Sequence, residues 1–170
     1  MTTTLYIVDG YNVLHALFRG AGKEEIFARR DWLTDRLVSF AAVRGAQAVL
    51  VFDGHGPQSS SCVPVKGVPV EVCFSGGRFT ADTLIARRIA ERPADVAVVV
   101  VSADQEVQRT ATRAGVSRMT PQELGTELRG AGDRQALDTA QESTRMPSRL
   151  EDKVDPETLR KLEEMRNKPQ

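Results

Sequence analysis

The chain has 170 residues, 41% of them hydrophobic, and its 23 basic residues balance 23 acidic ones. That length and apolar content suit one compact domain, and the absence of net charge excludes the chain-wide basic footprint of a non-specific nucleic-acid binder, so any nucleic-acid surface has to be local. The N-terminal MTTTLYIVDG has no basic leader and carries an Asp in its apolar run, no stretch approaches the roughly 20 apolar residues of a membrane span, and two cysteines are too few for a disulfide scaffold or a four-ligand zinc site. The expectation is a cytoplasmic protein, without membrane contact, whose thiols are reduced.

Leu5 to Val8 reads as a first strand buried on both faces, followed by a turn at Asp9-Gly10. From Glu24 to about Val43, Ile26, Leu33, Leu37 and Phe40 recur at helical spacing, with Glu25 and Arg29 paired on the solvated side. Ala48 to Phe52 is a second strand, ending at Asp53-Gly54. After the Gly, Pro and Ser-rich run from His55 to Ser61, the segments Cys62–Lys66 and Val70–Phe74 flank Gly67-Val68 as two arms of a hairpin, which sets Cys62 opposite Cys73. Pro64 and Pro69 each remove a ladder donor and weaken that hairpin.

Ser75-Gly76-Gly77-Arg78 leads into a helix from Ala81 to Glu91, with Leu84, Ile85 and Ile89 on its apolar face. Val96 to Val101 holds five valines in six residues and belongs in the middle of a sheet. Asp104 to about Ala114 is a helix stopped by Gly115, Val116 to Met119 a short edge strand, and Pro121 the first residue of another helix. Short strands alternating with helices predict βαβ units around a parallel sheet. Residues 130 to 153 are polar with few large apolar side chains. Asp155-Pro156 then opens an amphipathic helix carrying Leu159, Leu162 and Met165.

In an open parallel sheet, ligands bind outside the carboxyl ends of the strands, where strand order reverses. Asp9, Asp53 and Asp104 each follow a predicted strand within three residues, and Asp82 lies in the first turn of a helix opening toward the same edge. Each has an ordinary local explanation. Asp9-Gly10 and Asp53-Gly54 are common turn pairs, Asp82 suits the helix dipole behind a Thr80 cap, and Ser102-Ala103-Asp104-Gln105 fits a capping box. Jointly they demand more, because gathered carboxylates repel and raise one another's pKa unless a cation compensates. An all-oxygen array without Cys or His at ligand spacing points to Mg²⁺ or Mn²⁺, and such an ion with a phosphate substrate points to phosphodiester hydrolysis. Asn12 is a candidate for orienting a water or phosphate, Arg78 for holding a backbone phosphate, and His55 for carrying a proton; a turn Asn and a solvated loop Arg are the ordinary alternatives.

The segments LYIVDGYNVLHAL, VFDGHG, FSGGRFTADTLI and VVVSADQEVQRTATRAGVSRMTPQEL together resemble the YacP-like branch of the NYN domain proteins, which are PIN-like nucleases; the likeness covers about residues 4 to 128, and DPETLRKLEEMR resembles the family's tail. The resemblance implies a three-layer α/β/α PIN-like sandwich with a central, mainly parallel sheet over residues 1–130, and a polar linker with a C-terminal helix over 131–170. It implies a metal-dependent endoribonuclease whose catalytic and metal-holding residues are Asp9, Asp82 and Asp104. Asp53 lies nearby, and Asn12 and Gln108 fall at positions where the family carries these residue types. It also implies a role in bacterial mRNA turnover and a ribosome partner. Two departures stand out: Ser102-Ala103-Asp104 replaces the usual Thr-Ser-Asp, and Ala86 occupies a place one turn after Asp82 where an acid is common.

A HAD-type phosphatase needs a second acid two residues after the first, where this chain has Tyr11. A receiver domain needs a Lys at the end of a late strand, where it has Ser102. The remaining rival is an RNA- or ribosome-binding module with little or no catalysis. Nothing in the sequence encodes base readout.

Overall fold

The computed structural model describes residues 3–20, 22–54 and 60–131. The chain runs β1 (Thr4–Asp9), α1 (Gly10–Leu17), α2 (Lys23–Arg44), β2 (Gln47–Phe52), β3 (Ser61–Pro64), β4 (Val70–Phe74), α3 (Ala81–Ala90), β5 (Ala97–Val101), α4 (Gln105–Arg113) and β6 (Ser117–Met119). A last helix, α5, spans residues 121–131. The strands form one sheet in the order β3-β4-β2-β1-β5-β6, parallel throughout except for β3 against β4.

Alternation along the strands divides the core into two layers. Tyr6, Val8, Leu50 and Phe52 face the side covered by α1, α2 and α5, where Leu33, Leu37 and Phe40 of α2 and Leu124 and Leu128 of α5 are buried against them. Ile7, Val49, Val51 and Val100 face α3 and α4, meeting Leu84, Ile85, Ile89 and Val107. This is the expected three-layer sandwich. Arg44 of α2 pairs with Glu127 of α5, and Glu25 with Arg29 at 3.6 Å as the spacing predicts. Helix α2 ends at Gly45, whose φ of 59° is the left-handed cap position.

Two local expectations change. The chain does not turn at Asp9-Gly10: α1 begins there, with Gly10, Val13 and Leu14 buried. Neither Gly10 nor Gly54 has a positive φ. They are small because of close approach, since a Cβ on Gly10 would lie 2.4 Å from the Phe52 ring and one on Gly54 would lie 2.1 Å from the Ser75 carbonyl oxygen. The hairpin forms as expected, with Gly67 at φ 80° in its turn and Pro64 on the outer strand, where a missing N–H costs no ladder bond. The valine-rich β5 is interior, paired by β1 and β6, although the central pair is β1 and β2.

Cys62 and Cys73 face each other as the register requires, but they are bonded as a disulfide rather than held as two thiols. Directly opposed residues on neighbouring antiparallel strands bring their sulfurs within bonding reach, here with Cα atoms 4.0 Å apart. No described helix is long and apolar enough to cross a membrane. The polar segment and amphipathic helix expected after residue 131, and His55, lie outside the described residues.

Candidate active site

Strand order reverses at β1. The chain leaves β1 through α1 and α2 to reach β2 on one side, and returns through α3 to place β5 on the other. The carboxyl ends of β1 and β5 therefore border the crevice where a doubly wound sheet binds its ligands, and Asp9 is the last residue of β1.

Asp9 is only 8% exposed. Burial pushes its carboxyl up to about 6, against the downward pull of the Ser102 hydroxyl and the Asn12 backbone N–H, and the charges of Asp82 and Asp104 push it further up. Asp82 is also raised, first by loss of water and then by Asp104, Asp53 and Glu106. Asp9 at the end of β1, Asp53 after β2, Asp82 in the first turn of α3, and Asp104 with Glu106 at the start of α4 thus lie near enough for their charges to act on Asp9 or Asp82. Among the described residues, Asp9, Asp53, Asp82 and Asp104 take part in no ion pair; Glu106 pairs with Arg109 at 2.5 Å.

Two buried serines hold the strand-end acids. The Ser102 hydroxyl donates to Asp9 Oδ2 at 2.9 Å and accepts from the Asp104 amide at 3.0 Å. The Ser75 hydroxyl donates to Asp53 Oδ1 at 2.6 Å and accepts from the Gly54 amide at 3.1 Å. Asp53 Oδ1 also accepts from the Ala81 amide at 3.3 Å, fastening the entrance of α3 to the end of β2. Asp104 caps α4 through Oδ1, which accepts from the Glu106 and Val107 amides, so its ordinary local role is real but occupies one oxygen of two. Thr80, as expected, caps α3 in front of Asp82. In place of the capping box expected from Ser102, that serine links Asp9 to the Asp104 backbone.

The supporting residues are structural ties. Asn12 Oδ1 accepts from the Ala103 amide at 2.7 Å, and Gln108 Nε2 donates to the Ser102 carbonyl at 2.9 Å. Both clamp the β5–α4 loop, leaving the Asn12 amide nitrogen and the Gln108 carbonyl oxygen for other partners. Arg78 is exposed in the loop before α3, beside Phe79, which is 50% exposed.

The donor set suits a hard divalent ion in kind, being all carboxylate oxygens with none of the four aspartates ion-paired among the described residues and with Asp9 and Asp82 raised first by burial and then by neighbouring charge, but no three of these acids bring their oxygens within 4.8 Å of one another. Among the described residues, the group of three ligand side chains whose atoms do lie within 4.8 Å of one another is Cys62, Glu71 and Cys73. Its sulfurs are bonded to each other and its carboxylate to Arg88 at 2.6 Å, so its donors are already engaged.

The family model described as YacP-like NYN domain matches residues 6–167. The chain belongs to the YacP-like NYN domain family. NYN domains are PIN-like nucleases, and the fold agrees. The crystal structure of Rae1 (YacP) from Bacillus subtilis superposes with a TM-score of 0.72 at 22% identity, over 96% of this chain and 95% of that one. A single-substitution mutant of the same Bacillus subtilis protein gives 0.68 at 22% identity, over 88% and 89%. No curated protein matches the chain. For this NYN domain, sequence reasoning singled out Asp9, Asp53, Asp82 and Asp104 but not Ser75, Ser102 as a ligand of Asp9, or Glu106. The serines carried a signal: each directly follows a strand, where a small hydroxyl can reach the neighbouring strand's end.

Proposed function

We propose that this protein is a metal-dependent endoribonuclease, hydrolysing RNA phosphodiester bonds at the edge formed by Asp9, Asp82 and Asp104. The observation that carries the reading is this set of carboxylates at the reversal of strand order, with Asp9 and Asp82 raised first by burial and then by neighbouring charge, and with none of the three in an ion pair among the described residues. A Mg²⁺ or Mn²⁺ ion bound there would supply the Lewis acid that polarises the phosphate and lowers the pKa of the attacking water. Asp9, held by Ser102, is the most rigid ligand; Asp104 offers the oxygen not used for capping; Asp82 approaches from α3. Asp53 orders the α3 entrance, and Asn12 and Gln108 fix the loop bearing Asp104. Arg78, exposed before α3, is assigned to the RNA backbone, and His55 is given the same role from its place in the sequence, two residues after Asp53.

The rival reading, an RNA-binding module without catalysis, draws on Ala86, where the family often has an acid. The presence of Asp9, Asp82 and Asp104 together weakens it. In keeping with the family resemblance, we assign the activity to mRNA turnover in the cytoplasm, with the translating ribosome as partner. Residues 1–130 are assigned to the nuclease domain and 131–170 to a linker and helix.

The test is to incubate the protein with labelled mixed-sequence RNA in Mg²⁺ or Mn²⁺, against EDTA and the Asp82→Asn variant. Metal-dependent internal cleavage that disappears in the variant supports the proposal. RNA binding without cleavage, on free RNA and on translating ribosomes alike, overturns it in favour of the binding module.

A further inference from the structure

The acidic edge creates a difficulty for its own substrate: carboxylates repel a polyanion, so the chain has to hold the RNA with cations beside them. The chain as a whole supplies no excess positive charge. Next to the edge, however, lies a groove of about 430 Å³ between α4 and β6, lined by Gln105, Gln108, Arg109, Thr112, Arg113 and Arg118. Every lining side chain is a hydrogen-bond donor and none is a carboxylate. Five of the six lie on one face of α4 at helical spacing, a stripe about 12 Å long at 1.5 Å per residue. It begins one residue after Asp104, and Gln108 both lines the groove and bonds the Ser102 carbonyl.

Arg109 is shared with Glu106. Arg113 and Arg118 have no carboxylate partner among the described residues, and both are exposed. Arg113 has an ordinary explanation, since a cation in the last turn of a helix favours the dipole. Arg118 has none of that kind, because it sits on an edge strand and still turns into the same groove. Two guanidinium forks with flanking amide and hydroxyl donors are the chemistry of phosphate recognition.

We propose that the α4–β6 groove is the track that binds the RNA phosphate backbone on one side of the scissile bond. The proposal rests on the nuclease reading and adds the path of the substrate. The track reads phosphates rather than bases, so it contributes affinity without sequence preference.

The test measures binding separately from cleavage. A short labelled RNA of mixed sequence is titrated with the full chain in EDTA, by fluorescence anisotropy, between about 50 and 200 mM salt. The variant R113Q/R118Q should weaken binding about tenfold at the lower salt and flatten the slope of log Kd against log salt by about 1.4, at about 0.7 per lost phosphate contact. Each single substitution should give about half that change. Single-turnover cleavage at saturating RNA should stay within about twofold, because neither arginine touches the acidic edge. The control R87Q/R129Q removes the same charge from exposed positions on α3 and α5. Unchanged affinity and slope in R113Q/R118Q, or an equal loss in the control, overturns the track while leaving the nuclease standing if the wild type cleaves. A wild type that neither binds nor cleaves RNA overturns both.

Discussion

Asp9→Asn separates what the acidic edge costs the fold from what it does. The Asp9 carboxyl stands at about 6 rather than its ordinary 3.8. Between those values the folded protein holds a proton that the unfolded chain has released, so stability from this group is fully present below about pH 4 and is lost as pH rises through 6. At about 1.4 kcal/mol per pKa unit, the ionised carboxylate withholds about 3 kcal/mol of folding free energy at neutral pH when no metal is bound. Asn keeps the shape and an oxygen to accept the Ser102 hydroxyl, and it has no charge to desolvate. In EDTA, the variant should therefore gain on the wild type as pH rises, by about 2 kcal/mol between pH 4.5 and 7.5, or about 6 °C in Tm for a domain of this size. Mg²⁺ at about ten times its Kd should raise the wild type by about 1.4 kcal/mol and the variant far less, while RNA cleavage by the variant is lost. Thermal melts across pH, with and without metal, read both effects. A difference between the two proteins that stays flat from pH 4.5 to 7.5 would refute the claim that Asp9 is held ionised against its environment.

Ser102→Ala removes the donor to Asp9 and the acceptor of the Asp104 amide, and leaves a buried carboxylate oxygen short of a partner. It should cost about 1–3 kcal/mol and move the acidic limb of the pH–rate profile upward, with kcat falling more than KM rises, as single-turnover rates across pH will show. Gly10→Ala drives a methyl against the Phe52 ring, 2.4 Å from its nearest carbon, and should lower stability in urea by about 1–3 kcal/mol. Cys62→Ser opens a link between residues 11 apart in sequence and should lose about 3 kcal/mol without reductant and nothing with it, leaving cleavage unchanged. Ellman titration of the untreated wild type should then find no free thiol.

The strands and long helices were legible because their signals are local and repeated. Valines in β5, the Leu33, Leu37 and Phe40 stripe of α2, and the Gly67 turn each need only neighbours in the chain to be recognised. Helix α1 was not, since Gly10 and Asn12 suit a turn by composition, and what demands a glycine at position 10 is the Phe52 ring, 42 residues away in sequence. The same limit governs the site. Asp9, Asp53, Asp82 and Asp104 could be found because strand ends converge in a parallel sheet, whereas the bond from Ser102 to Asp9 spans 93 positions and is visible only in space. The disulfide falls between: register predicted the facing cysteines, but a count of two thiols argued for leaving them reduced.

A common logic joins the two serines to the acids they serve. A carboxylate at a strand end is free to swing into water, which would relieve its repulsion from the others and scatter the cluster. Each serine prevents this by donating to the acid of a neighbouring strand while accepting a backbone amide from its own side, or from the acid's, so that two strand ends move as one. Asn12 and Gln108 do the same for the loop that carries Asp104, each bonding a backbone group of that loop. The four ties restrain Asp9, Asp53 and the loop that carries Asp104, while burial first and neighbouring charge second oppose the ionised form of Asp9, an opposition that a divalent ion bound there would offset. By this argument the ligands and their ties should fail differently: loss of Asp9 or Asp82 should abolish the metal-dependent gain in Tm, whereas loss of Ser75 or Ser102 should weaken metal affinity and leave part of that gain at saturating Mg²⁺.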